Sequence, residues 1–485
     1  MRFTDLVPAA TDAVRSAGSA LGDLLTPTLR LGVTGLARSG KTVFITALVR
    51  SLISAGRLPF FSPHADGRIE SAFLEPQPDD TVPRFDYEGH VALLGRDPPE
   101  WPDSTRRISE LRVTLTYRPE GGLRRLLGTQ RLHLDIVDYP GEWLIDLAML
   151  DQDFTRWSES AMDLALEKGR ADAAETFLGF LQGLVDDKRP DEQIAIAGAR
   201  MFTDYLAKAR ALENAVSVLG PGRFLMPGDL EGSPLLTFFP LPPGITGPPS
   251  LQAFLARRYE SYKAKVVRPF FRDHFSRLDR QIVLVDALGA VNAGPVAVAE
   301  LERALEAVMG AFKPRAGSWL ALLLGPRLDK LLFAATKADH LHNTSHDHLE
   351  AFLRLLTERA ARRATGAGAT VEVTAIAALR ATREAMARDG SNELPCIVGT
   401  PLPGEKLGAR RFDGRTEVAV FPGDLPADPD EALAKGRTDD AQEDVRVIRF
   451  RPPRLLPAGA DGTERPAPHI RLDKALEFLL GDRLS

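Results

Sequence analysis

In the stretch GLARSGKT, residues 35–42, Gly35, Gly40, Lys41 and Thr42 match the phosphate-binding spacing G-x-x-x-x-G-K-[ST]. This pattern builds a concavity of backbone N–H groups at a helix N-terminus, where the helix dipole favours anions. The two glycines permit the tight path, Lys41 reaches the terminal phosphates, and the Thr42 hydroxyl is a ligand for Mg²⁺. Ala37, Arg38, Ser39 and Val43 complete the candidate contacts around the phosphates. The bland alternative is a chance match in a loop. The flanks argue against it: TLRLGVTG (28–35) reads as a strand entering the loop, and KTVFITALVRSLISAG as a helix leaving it.

Three further motifs follow in the order a GTPase requires. DYPG (138–141) ends a strand-like run with the form D-x-x-G. Asp138 would hold the Mg²⁺ shell through water, and the Gly141 amide would sense the γ-phosphate. TKAD (336–339) is close to the guanine motif N-K-x-D: Asp339 would accept from the guanine edge while the Lys337 stem stacks on the ring. Thr336 stands where Asn is usual, and its hydroxyl performs only part of the amide's role; dynamin-like large GTPases tolerate the same Thr. In TAIAAL (374–379), the Ala375 amide is offered to the base oxygen, with Ile376 beside it. Each motif alone has a structural explanation, and the ordered set is the specific signal. A second D-x-x-G, DALG (286–289), competes for the sensor role. It follows a helical block rather than a hairpin, so Asp286 is expected as a carboxylate near the phosphates or a structural cap. Thr105, in WPDSTRRIS, is the candidate for covering Mg²⁺, with an ordinary cap an equal alternative.

Hydrolysis requires a positioned water and neutralisation of charge on the phosphoryl oxygens. Glu142 follows Gly141, where small GTPases carry a water-orienting Gln. A carboxylate there adds repulsion, so turnover should be slow; the other reading pairs Glu142 with a basic residue. Arg38 lies inside the phosphate loop, and GLARSGKT resembles the GLYRTGKS-type loop of the guanylate-binding proteins. In that family the loop arginine acts on the phosphates in cis upon dimerisation. An arginine finger is worth about three to five orders of magnitude in rate, or about 4 to 7 kcal/mol. A solvent-facing Arg is the equal alternative.

The elements that must position these groups can be read from patterning. At 485 residues the chain suggests two or three domains. A net charge of −5 gives no reason to expect nucleic acid as a partner. The single Cys396 excludes an intramolecular disulfide. No stretch approaches the roughly 20 apolar residues of a membrane span, so the expectation is a cytoplasmic protein, able to sit peripherally at the inner membrane through a partner. Residues 1–27 read as an amphipathic N-terminal helix, and 57–108 as a long irregular connection. Leu111, Val113, Leu115 and Tyr117, then Leu132, Leu134 and Ile136, alternate as in an antiparallel hairpin. Apolar runs alternating with helices indicate parallel strands from 280 onward. The expected organisation is a nucleotide-binding domain of 28–143 and 279–390 with a helical insertion at 144–278. A β-rich appendage (391–455) follows, carrying an acidic, mobile loop at 427–443, and a tail with a short helix (456–485) ends the chain.

Together, TLRLGVTGLARSGKTVFITALV, WPDSTRRISELRVTLTYRP, DIVDYPGEWLIDL, RQIVLVDALGAVNAGP, TKADHLH and CIVGTP…GE…FPGDLP resemble the bacterial YcjX-like proteins, P-loop GTPase-type stress proteins. The resemblance covers about residues 25–455. It implies an α/β P-loop NTPase fold, GTPase-like, with a mostly parallel sheet, an inserted all-helical domain and a small C-terminal β-rich part. It also implies GTP/GDP and Mg²⁺ as ligands, an envelope-stress context and a membrane-protein partner.

Two weaker constellations remain. His340, His342, His346 and His348 contain an i,i+4 pair able to hold a metal, though a polar helix start is the simpler reading. Tyr259, Tyr262, Val266, Phe270 and Phe271 form a stripe at helical spacing, better read as core than as a partner face. The function expected is a Mg²⁺-dependent GTP-binding switch and slow GTPase, with a nucleotide-dependent homodimer as the setting for Arg38. The alternatives are a nucleotide-stabilised scaffold with little hydrolysis and an ATPase with a degenerate base site.

Overall fold

The computed structural model describes residues 26–35, 38–54, 56–103, 107–121, 128–167, 169–184, 191–211, 220–243, 250–310, 328–389, 392–436, 447–456 and 466–485. Most of the expected N-terminal helix, Ala37, Thr105 and the acidic residues 437–443 lie outside the described residues.

A seven-stranded sheet runs through the chain in the order β2-β3-β4-β1-β5-β6-β7. Its strands are β1 (Thr28–Gly35), β2 (Ile69–Glu75), β3 (Ser109–Tyr117), β4 (Gln130–Asp138), β5 (Arg280–Val285), β6 (Lys330–Ala335) and β7 (Thr370–Ala375). β2–β3 and β3–β4 are antiparallel, and β4, β1, β5, β6 and β7 are mutually parallel. The strand order reverses at β1, so the carboxyl ends of the parallel strands form one edge, where α/β sheets place ligands.

Alternation splits the central strands between two cores. Leu31, Val33, Ile282, Leu284 and Leu332 face α1 (Lys41–Ile53) and a C-terminal helix, Leu472–Leu480. Val283, Val285, Phe333, Ala335 and Val373 face the helices Pro295–Gly310 and His346–Gly366. The C-terminal helix is therefore integral to the sheet layer. The fully buried Arg280 anchors its end through paired bonds of 2.7 Å to the Asp482 carboxylate.

Residues 57–108, expected to be irregular, instead supply edge strand β2 and a helix, Tyr87–Gly95. Asp86 caps that helix by accepting from the Gly89 amide, a local signal hidden among Pro and Asp. Within the stretch expected to be mobile, Pro429–Gly436 is a helix packed on His346–Gly366. Asp430 and Glu431 in its first turn complement the helix dipole, so acidity there favours order.

Between β4 and β5 the chain is helical: Glu142–Leu147, Phe154–Leu166, Ala171–Gln182, Glu192–Ala211, Leu251–Tyr262 and Arg268–Asp273. Their core is aromatic. Trp157 stacks on Tyr259 at 5.1 Å, and Phe202, Phe238, Phe239 and Phe270 are buried around them. Tyr259, Tyr262, Val266, Phe270 and Phe271 all lie inside it, so the stripe is packing. The helix preceding Pro269 widens into a π turn at Lys263–Val267, a local adjustment frequent next to a helix irregularity. A three-stranded antiparallel sheet of β8 (Arg383–Asp389), β9 (Asn392–Gly399) and β12 (Val418–Val420) and the two-stranded pair β10 (Lys406–Leu407) and β11 (Arg410–Arg411) form the C-terminal β part. No described helix is long and apolar enough to cross a membrane.

Candidate functional site

The parallel register collects the motif residues on one edge of the sheet. Val33 lies opposite Asp138, Gly35 opposite Leu284, Val285 opposite Ala335, and Ala335 opposite Ala375. Each motif begins where its strand stops, so residues up to 340 positions apart in sequence share one rim.

At the phosphate end, Gly35 must be glycine because a Cβ there would lie 2.7 Å from the Leu284 carbonyl of β5. Gly40 adopts φ 82°, the left-handed region, with no atom of the described residues within 4 Å of where a side chain would stand. Arg38, also left-handed at φ 65°, is exposed. An arginine in that conformation is uncommon and is held there by the tight loop. Lys41 Nζ donates to the Gly35 carbonyl at 3.0 Å, lying back across the mouth of its own loop. Ser39 Oγ is buried and has no hydrogen-bond partner among the described residues. Thr42 donates from Oγ1 to the Asp103 carbonyl at 3.1 Å. The buried carboxylate of Asp138 ends the neighbouring strand.

These features suit a polyphosphate with Mg²⁺. The ion prefers a few hard oxygen donors with the remaining positions left to water and phosphate. Thr42 and Asp138 would supply the donors, and Gly40 and the Ser39 hydroxyl line the cradle. Asp103 was missed by pattern reading, although it stands two residues before Thr105 in a segment already singled out.

The base end differs because protein contacts already engage its groups. Asp339 is buried, and its Oδ2 accepts from the Ala381 amide at 2.7 Å while its carbonyl accepts from the Thr382 hydroxyl. Lys337, left-handed at φ 61°, forms an ion pair with Asp286. Asp286 also caps the helix Ala287–Ala293 through the Gly289 amide at 2.9 Å, so DALG is a cap and a partner for the base motif. Thr336 Oγ1 donates to the Val285 carbonyl at 3.3 Å. The Ile376 amide donates inward to Ala335 at 2.7 Å. Ladder alternation turns the preceding Ala375 amide outward from β6.

The sensor motif leads directly into the insertion. Tyr139 of DYPG is fully buried, with Phe270 at 5.8 Å and Phe275 at 6.4 Å edge-on. Glu142 opens the helix after Gly141 and pairs with Arg210 at 2.8 Å, placing it in the arrangement with a basic partner rather than free beside a phosphate. Trp143 lies under the Arg223 guanidinium at 3.2 Å. Asp146 accepts from Tyr262 and from the Gly222 amide, each at 2.6 Å. Desolvation lifts its carboxyl to about 6 despite those bonds. Arg210, Gly222, Arg223 and Tyr262 carried no sequence signal of this role, because each lies more than 65 residues from its partner.

The four histidines have separate duties. His340 is buried with Phe450 edge-on at 5.5 Å, and burial lowers its basicity. His342 caps Asn343–Ser345, His346 contacts the Leu341 carbonyl, and His348 the Leu425 carbonyl. Among the described residues, no group of His, Cys, Asp or Glu is arranged to hold a metal.

A mostly parallel α/β sheet with a strand–glycine loop–helix at its switch point, a helical insertion and a small β part defines a P-loop NTPase architecture. A family model described as "YcjX-like family, DUF463" matches residues 29–484, and the chain belongs to that family. It is similar to the "Ras-like GTPase YcjX" of Escherichia coli K12, at 37% identity over 470 residues, covering 94% of this chain and 96% of the relative. A protein of the same name from Shewanella oneidensis MR-1 is 36% identical over 489 residues, with 94% of each covered.

Proposed function

We propose that the chain binds GTP and GDP with Mg²⁺, hydrolyses GTP slowly, and passes the nucleotide state to its helical insertion. The observation that carries this reading is the continuity from Asp138–Gly141 into Glu142–Leu147. A Gly141 amide that moves on losing a γ-phosphate must shift a helix whose Glu142, Trp143 and Asp146 are all bonded into the insertion. In this proposal Lys41 and the loop amides of Gly35, Ala37, Arg38, Ser39, Gly40 and Val43 hold the phosphates. Thr42, Thr105 and Asp138 (through water) hold Mg²⁺. Thr336, Lys337, Asp339, Ala375 and Ile376 face the base, and Arg38 acts in cis on the phosphates. The names of the two relatives support GTP as the substrate.

Calorimetry of GDP against ADP, followed by phosphate release from GTP, tests the reading. The expected result is GDP-selective binding with slow turnover; tight ADP binding with none for GDP overturns the base assignment. The Glu142–Arg210 pair favours a second reading, a nucleotide-stabilised scaffold with little hydrolysis, because it engages the carboxylate that would orient water. GTP bound without phosphate release selects that reading. An envelope-stress role, a membrane-protein partner and a nucleotide-dependent homodimer belong to the proposal. Light scattering in GDP and in a non-hydrolysable GTP analogue tests the homodimer, and a monomer in both states rejects it.

A further inference from the structure

The C-terminal β part is joined to both ends of the nucleotide site through one strap. The Phe450 carbonyl accepts from the Trp101 indole Nε1 at 2.7 Å. Trp101 stands two residues before Asp103, whose carbonyl receives the Thr42 hydroxyl. On its other side the Phe450 ring, 1% exposed, meets His340, the residue after Asp339 of the base motif. The same segment is fastened along its length. Arg451 donates its amide to the Thr400 carbonyl and Leu455 to the Leu94 carbonyl, and the buried Arg50 of α1 donates to the Leu456 carbonyl at 2.8 Å. Three contacts, Thr42 to Asp103, Trp101 to Phe450 and Phe450 to His340, are thus joined by the short backbone links 101–103 and 339–340.

We propose that Trp101 is a positioning residue whose indole bond to the 450–456 strap holds the Asp103 segment against Thr42, so that binding at the base motif favours closure of the Mg²⁺ side. This rests on the guanine-nucleotide reading above. Coupling of this kind is carried by packed side chains and hydrogen bonds, here the buried Phe450 ring against His340 and the Phe450 carbonyl on Trp101. Through this linkage the β part acts on the site without contributing a ligand of its own.

The test uses the full chain with fluorescent GDP and a fluorescent non-hydrolysable GTP analogue, each titrated with and without Mg²⁺. Trp101→Phe keeps the ring and removes the N–H. The expected result is about a five- to tenfold loss of the Mg²⁺-dependent gain in GTP-analogue affinity, the size of one hydrogen bond, with Mg²⁺-free GDP affinity within twofold. Trp101→His, which restores an N–H donor, should recover part of the gain. An unchanged Mg²⁺ gain in Trp101→Phe overturns the proposal, as does equal weakening of all four affinities, which marks a merely structural role. A wild-type chain that binds neither probe overturns the guanine-nucleotide reading itself.

Discussion

The two ends of the candidate site are built in opposite ways. At the phosphate end, the loop meets its own backbone: Lys41 reaches Gly35, Gly40 has no described neighbour where a side chain would stand, and Arg38 is exposed. At the base end, Asp339, Lys337, Thr336 and Ile376 are each bonded to another element. The phosphate end is a local device formed by some eight consecutive residues, and it works wherever a strand and helix hold it. The base end is a junction of β5, β6, β7 and the β part, so in the proposed function recognition and fold stability would share the same atoms there.

That contrast can be broken or sharpened by substitution, and the largest effect belongs to the phosphate end. Arg38→Ala should lower single-turnover GTP hydrolysis by about 10³-fold or more with GDP affinity and melting temperature unchanged; unaltered turnover would make Arg38 a solvent-facing residue. Lys41→Ala should cost about 10²-fold in GTP affinity by calorimetry, again without loss of ligand-free stability. At the base end the two properties should fall together. Asp339→Ala should reduce the guanine-over-adenine preference about tenfold or more and also lower ligand-free stability by about 1 to 3 kcal/mol, because the Ala381 amide is left unsatisfied. Asp339→Asn keeps an oxygen for that amide, so it should lose the preference with little change in melting. If both variants melt like wild type, the base end is as local as the phosphate end.

The last effect concerns the insertion contact. Desolvation raises the Asp146 carboxyl to about 6 from an unfolded value of 3.8. The folded state therefore binds more protons between those two values, and stability falls as pH rises through that window. The neutral amide in Asp146→Asn can still accept from Gly222 and donate to Tyr262. That variant should be more stable than wild type by about 1 to 3 kcal/mol at pH 7 to 8 and nearly equal to it at pH 4, measured by denaturant titration. A constant difference across pH would show that burial is not what perturbs Asp146.

Elements whose signal is periodic were legible without coordinates. The alternation of Leu111, Val113 and Leu115 against Leu132, Leu134 and Ile136 marks β3 and β4, and those residues pair as antiparallel neighbours. Strand β2 and the helix Tyr87–Gly95 escaped because the stretch around them is rich in Pro, Asp and Gly, and their order comes from pairing with β3 and from the Asp86 cap. The helix at Pro429–Gly436 escaped for a similar reason: its composition suggests mobility, whereas its packing partner lies some 70 residues earlier.

The sequence by itself determined the phosphate loop, the order of the motifs and the strands that carry them, because backbone sterics and side-chain period act over a few neighbouring residues. Only the tertiary structure decided which partners those motifs have: Arg210 for Glu142, Asp286 for Lys337, Ala381 for Asp339, and Phe450 between Trp101 and His340. Those contacts join residues separated by 42 to 349 positions. Their formation depends on how whole layers pack, and no local pattern encodes that packing.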